Sequence, residues 1–157
     1  MKFYRNKKGG SGTVELAPAL VVIFIVILVP MLDLLYLGLA YASGWYCNHL
    51  VVREVACRDP ASSGAAATAA TAAWAGTGLA KFIGAGTGAV ANTVTFLNNG
   101  VPTAPTPGNP PTSCSVATQV TVQPFLPIPF FMAVEGLNKP VIFGYSAERP
   151  QEEKGIQ

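Results

Sequence analysis

The sequence predicts an α+β fold: a long amino-terminal transmembrane helix extending into a second helix that packs on a small antiparallel sheet. Three stretches carry the prediction. An apolar run reaches from Val14 to Ala42, and its only charges are Glu15 at its start and Asp33 two thirds along. An alanine-dominated stretch follows from Pro60 to Ile83. Ser115 to Gln123 then alternates, with Val116, Thr118, Val120 and Val122 on one face and Ala117, Gln119, Thr121 and Gln123 on the other. That is the period of a half-buried strand. The 157 residues leave room for one modest domain beside an anchor. Charged residues are only 11% of the chain, against roughly a quarter in ordinary globular proteins.

The anchor comes first. Val14 to Ala42 is about 29 residues, roughly 43 Å as a helix at 1.5 Å per residue. A hydrocarbon core is about 30 Å thick, so residues 11–43 are read as the span, with a far end that emerges beyond it. Pro18 and Pro30 are tolerated there if neighbouring groups take up the freed carbonyls, and each is expected to bend the helix. Residues 1–10 form a basic cytoplasmic leader. Lys2, Arg5, Lys7 and Lys8 are four of the ten Lys and Arg in the chain, with no acid among them. By the positive-inside rule they hold the amino terminus in the cytoplasm and send residues 44–147 outside as an α+β domain. Behind Gly10, six basic residues stand against eight acids, so charge makes no case for nucleic acid.

The outer domain begins as a continuation of the helix to about Arg58. Tyr41, Trp45 and Tyr46 sit where an aromatic belt belongs, and Glu54 and Arg58 are spaced as a helix ion pair. Asp59-Pro60 breaks the run. The second helix, Pro60 to Ile83, has Trp74 and Phe82 as its large anchors and is weakened by Gly64, Gly76 and Gly78. Val90 to Leu97 reads as a strand, closed by the turn signal Asn98-Asn-Gly100. The proline-rich Val101 to Pro111 reads as a loop. After the alternating strand, Phe125 to Phe131 is apolar but interrupted by Pro127 and Pro129, which suits a bulged edge or a covering loop. Val141 to Ala147 is a third strand, and residues 148–157 read as a flexible polar tail.

Signals for chemistry are weak. Gly84-Ala-Gly86-Thr-Gly88 has the look of a dinucleotide turn, but it follows a helix and precedes a strand, the reverse of what a pyrophosphate site needs. His49 has no acid on its own helix face. No nucleophile elbow, paired-acid or phosphate-loop signature is present. The reading is therefore of a protein that is not an enzyme, with no cofactor and no metal site. Cys47, Cys57 and Cys114 all fall after the span, where disulfides are permitted, and their spacings fit no zinc site. Cys57, at a helix end, and Cys114, before the best strand, are the expected pair, with Cys47 left over.

The start of the chain leaves three processing routes open. A signal peptide cut after Ala40-Tyr41-Ala42 would need an apolar core of only 7–15 residues, about half of what is present. An uncleaved single-span anchor is the second route. The third is a pilin-type amino terminus, and it gives Glu15 a purpose. A carboxylate at the mouth of a span is costly. In a filament whose core is built from such spans, it can neutralise the free α-amino group of a neighbouring subunit, so that both charges are paired away from water. A cut between Gly10 and Ser11 would create that amine and make Glu15 the fifth residue of the mature chain. Asp33 inside the run either snorkels toward the outer face or makes a polar contact with another helix of an assembly, and Gly38-x-x-x-Ala42 would permit close approach.

Lys8-Gly-Gly-Ser-Gly-Thr-Val-Glu-Leu-Ala-Pro-Ala-Leu, the aliphatic run, and Asp33-Leu-Leu-Tyr-Leu-Gly resemble the TadE/TadG-like family of the tight-adherence (Flp-type) pilus. Arg53-Glu-Val-Ala-Cys-Arg58 stands where the family has an Arg/Ala-rich helix, and Val116 to Phe131 is similar to its carboxy-terminal pattern. The resemblance implies a pseudopilin-like minor pilin or assembly factor, held in the bacterial inner membrane among other pilus-assembly subunits. It also implies maturation by a prepilin peptidase at Gly10 and Ser11, with Glu15 and Asp33 serving assembly. Relatives that are cut tend to show Glu-Tyr, whereas Glu15 here is followed by Leu16. The alternative class is a generic envelope protein whose outer domain binds a partner, or a small secreted protein.

Overall fold

The computed structural model describes residues 11–106, 110–126, 134–136 and 138–152, without the side chains of residues 11–15 and 87. Helix runs without interruption through α1 (Ser11–Ile23), a π-helical turn (Phe24–Leu28) and α2 (Val29–Ala56). The π turn has a cause in the sequence. It ends two residues before Pro30, which has no N–H to offer the carbonyl four residues behind it and so disturbs the regular ladder there. The segment Leu16–Ala56 is long and apolar enough to cross a membrane.

The alanine-rich stretch is divided into two helices, α3 (Ser63–Ala75) and α4 (Gly78–Phe82). The break is chemical: Gly76 closes α3, and the Thr77 hydroxyl caps α4 by accepting from the Ala80 N–H at 3.3 Å. Four antiparallel strands follow: β1 (Val90–Asn98), β2 (Val101–Pro102), β3 (Ser113–Val122) and β4 (Val141–Pro150), in the order β2-β1-β3-β4. Asn99 and Gly100 both take positive φ, 51° and 79°, in the tight turn between β1 and β2. Such a turn twists with its strands.

The two layers meet along the β3 face that the alternation predicts. Val116, Thr118, Val120 and Val122 are all buried. They lie against α2, which brings Cys47, Val51, Val52 and Val55 to the same core, while Trp74 of α3 and Ile83 close its side. The expected tail is ordered as far as the structure describes it. β4 continues through Pro150, which as a strand end on the sheet edge gives up no ladder bond. Beyond it the Gln151 N–H donates to the Thr112 carbonyl and the Glu152 N–H to the Ala56 carbonyl at the end of α2, each at 3.0 Å. The open carbonyls of a helix terminus are what hold this segment down.

A buried polar cluster ties the layers together. Thr118 Oγ1 lies 2.9 Å from both Asn48 Oδ1 and Asn92 Oδ1. Asn92 Nδ2 is engaged by Thr71 Oγ1 at 2.7 Å. One hydroxyl proton cannot serve two oxygens. Asn92 accepts it, and the cluster is satisfied when Asn48 turns its amide to donate to Thr118. Thr118→Val keeps the shape and strands these amides, which should cost about 1–3 kcal/mol. Urea unfolding of the full chain in detergent checks this, and an unchanged midpoint would refute it.

Candidate functional site

The distinctive site is α2 itself, between Asp33 and Cys47, because its polarity is inverted. The residues turned into the fold are Asp33, Tyr36, Ala40, Ser43, Gly44 and Cys47, at helical spacing. Those turned outward are Leu34, Leu35, Leu39, Trp45 and Tyr46. Leu34 and Leu35 are 65% and 63% exposed, although the aspartate beside them is fully buried. From Asn48 onward the ordinary order returns, with Val51, Val52 and Val55 inside and Arg53 outside. The exposed face of this stretch is thus richer in apolar surface than the buried one.

The inward stripe holds because small residues let the sheet approach. At Gly44 an added Cβ would stand 2.5 Å from the Tyr145 hydroxyl and 2.7 Å from its ring. Tyr145, on β4, donates its O–H to the Tyr41 carbonyl at 2.9 Å. Its ring lies 5.4 Å from that of Tyr41, which Phe143 meets edge-on at 5.6 Å. Burial pushes the Tyr145 phenol well above its usual range, with Tyr41 adding to the effect.

Packing begins at Asp33. Its Oδ1 accepts a hydrogen bond from the Leu126 N–H at 3.0 Å, and Oδ2 has no partner among the described residues. One turn on, Tyr36 donates to the Ile83 carbonyl at 2.7 Å. The Tyr36 ring lies 5.8 Å from that of Phe82 and 5.4 Å from that of Phe125. The helix that enters this junction, Leu16 to Leu32, is exposed along most of its apolar side chains. The boundary read from hydropathy at residues 43 and 44 therefore falls inside the packed helix, ten residues after packing starts. Asp33, expected to reach toward another helix, has its carboxylate turned into its own fold.

Of the other expected site residues, Gly10 lies outside the described residues. Ser11 opens α1, and Glu15 lies on α1 with its side chain outside the description. All three cysteines are free thiols, so the bond expected between Cys57 and Cys114 is not made. Cys114 faces the core, whereas Cys57 is exposed at the cap of α2. Burial pushes the Cys114 thiol up, and the nearby Glu148 and Cys57 push it further. The Gly84–Gly88 run ends α4, with Gly84 at φ 64°. His49 lies against Trp45, ring centres 4.1 Å apart. Among the described residues, no three His, Cys, Asp or Glu side chains gather where a metal could sit. An open groove of about 610 Å³ between α3 and β1 is lined by Ala67, Thr71, Val90 and Asn92, among others, and carries no titratable group.

Leu126 and Tyr36 are partners that sequence reasoning missed. A backbone N–H donor leaves no signature, and Tyr36 read as one more apolar residue of the span. No family model, curated protein or solved structure matches this chain.

Proposed function

We propose that this chain is a structural subunit rather than an enzyme. In this reading it is a single-span, pseudopilin-like component of a tight-adherence pilus assembly system, held in the bacterial inner membrane with its amino terminus inside. The outward apolar face of α2 supports the reading more than any other observation. Ser11 to Leu32 supplies about 22 residues, roughly 33 Å of helix, already enough for a hydrocarbon core of about 30 Å. Leu34, Leu35, Leu39 and Trp45 lie beyond that length and stay exposed. Apolar surface left over once the bilayer is crossed is suited to a neighbouring protein helix. Gly38 and Ala42 are exposed on the same stretch, and Gly38 has nothing within 4 Å of an added Cβ.

Cysteine cross-linking in native membranes tests the reading. In a Cys57→Ser background, Leu35→Cys should give a ladder of cross-linked copies or cross-links to other pilus subunits. Ala91→Cys, exposed on the sheet, should give none. A generic anchored envelope protein with a monomeric outer domain predicts no ladder from either position, and that result would refute the assembly role.

A further inference from the structure

We infer that the end of the sheet domain nearest the free apolar helix is itself a lipid-contacting surface. Leu79 and Phe82 of α4, with Phe125 and Leu126 beyond β3, form an apolar half-collar seated in the headgroup boundary beside the emerging helix. The inference rests on the anchoring reading and adds a second membrane contact to it.

Position is the first argument. Phe82 meets Tyr36 edge-on and Phe125 lies tilted against it, one turn beyond Asp33, where the exposed run ends and packing starts. The collar therefore flanks the exit point on the side of Asp33 and Tyr36 and continues the apolar surface of the free helix. Exposure is the second. Phe82 and Phe125 are 54% and 50% exposed, and Leu79 and Leu126 are also open. Leu79 and Phe82 are three apart on α4, while Ala80 and Ile83 are buried in the core. This separates an outward apolar face from an inward one.

Attachment is the third argument. Leu126 is held by Asp33 and Ile83 by Tyr36 through buried or part-buried hydrogen bonds. The large side chains are thus presented by a fixed framework, and burying them costs little further ordering. Charge is the fourth. Arg53, Glu54, Arg58, Asp59, Arg149 and Glu152 stand at the opposite end, around the last turn of α2 and the end of β4. Near the collar the described charges outside α2 are Lys81, Glu135 and Lys139, all exposed. Lys81, between Leu79 and Phe82, can run its stem along the collar and place its ammonium among phosphates. Large apolar side chains with a basic residue among them are the composition of a surface that lies about 5–10 Å deep in the headgroup region.

The test is site-directed spin labelling of the full chain in phosphatidylethanolamine–phosphatidylglycerol vesicles, in a Cys57→Ser background. Labels are placed one at a time at Ile25, Phe82, Leu79, Phe125 and Val101. Collision with oxygen, which partitions into lipid, is compared with collision with a water-soluble nickel chelate. Ile25 on the free helix should favour oxygen, and Val101 at the far end should favour nickel. Phe82, Leu79 and Phe125 should follow Ile25. Leu79 is not one of the three rings of the Tyr36–Phe82–Phe125 cluster, so it reports on the collar even if labelling Phe82 or Phe125 disturbs that cluster. Collar labels that follow Val101 while Ile25 favours oxygen would overturn the collar and leave the anchor standing. Collar labels shielded from both reagents would give the surface to a protein neighbour and overturn lipid contact. A water-exposed Ile25 would remove the anchoring reading, and the collar with it.

Discussion

Gly44→Val should loosen the sheet from the long helix and destabilise the outer domain. The contact leaves no room: an added Cβ would stand 2.5 Å from the Tyr145 hydroxyl and 2.7 Å from two ring carbons. Tyr145 cannot move away without loss, because its O–H is bonded to the Tyr41 carbonyl. Its strand is also paired to β3 from Val122 to Ser113. Overpacking of this kind costs about 1–3 kcal/mol, a large part of the roughly 5–15 kcal/mol that stabilises an ordinary domain. Urea unfolding of the full chain in detergent checks it. Tyr145→Leu should also destabilise, yet the double variant Gly44→Val with Tyr145→Leu should lose less than the sum, since the smaller side chain clears the contact. An unchanged midpoint for Gly44→Val, or strict additivity in the pair, would mean that the helix and β4 do not meet here.

Tyr145 also sets a pH dependence. Its folded-state pKa is raised by burial. The protonated phenol is therefore bound more tightly in the folded chain. Stability from this group is complete below the unfolded tyrosine pKa of about 10 and declines as pH rises above it. Tyr145→Phe should remove that share of the alkaline loss.

The strands were legible for a reason specific to them. On β3 the inward residues are Val116, Val120 and Val122, with Thr118 as the single polar member, so burial and hydropathy share one period. On α2 they do not. There the fold buries Asp33, Ala40, Ser43, Gly44 and Asn48 and leaves Leu34, Leu35 and Trp45 outside. A hydropathy window averages both faces, so it marks how far the apolar residues extend and not where the sheet begins to cover one side. That is why the boundary fell at residues 43 and 44 when packing starts at Asp33. The helix break at Gly76-Thr77 was readable only in part. Gly76 weakens a helix visibly, but the cap depends on the Thr77 hydroxyl finding the Ala80 N–H. At the end of the chain, Glu148 and Arg149 look like a solvated tail because β4 is an edge strand and carries polar residues at its exposed end. The Asp33 junction was half legible. A carboxylate inside an apolar run demands a polar partner. The Leu126 N–H that supplies it comes from a loop 93 residues away and has no side-chain signature.

If the chain is the pilin-like subunit proposed above, Glu15→Leu should leave a stable, membrane-resident protein that no longer supports pilus formation. The variant removes a charge from the start of the apolar run, so insertion should be unharmed or improved. Glu15 lies on α1, far along the free helix from the packed junction at Asp33. The sheet domain should therefore unfold at the same urea midpoint as the parent chain. In an assembly built on these helices, the change leaves a neighbour's α-amino group without a partner in apolar surroundings, a loss of several kcal/mol per subunit. On the same reading Gly10→Glu should act one step earlier, by blocking a prepilin-type cut before Ser11 and leaving the four basic residues of the leader attached. Intact-mass measurement of the mature chain separates the routes, because the first residue would be Ser11 after prepilin-type cleavage, Met1 in an uncleaved anchor and Ser43 after signal-peptide cleavage. A plain anchored protein tolerates both substitutions and keeps its full mass in both. Normal surface pili and unchanged co-purification with other pilus subunits in the Glu15→Leu strain would remove the assembly role from Glu15. A mature chain beginning at Ser11 with assembly lost only in the variants would tie the carboxylate to the amine that cleavage creates.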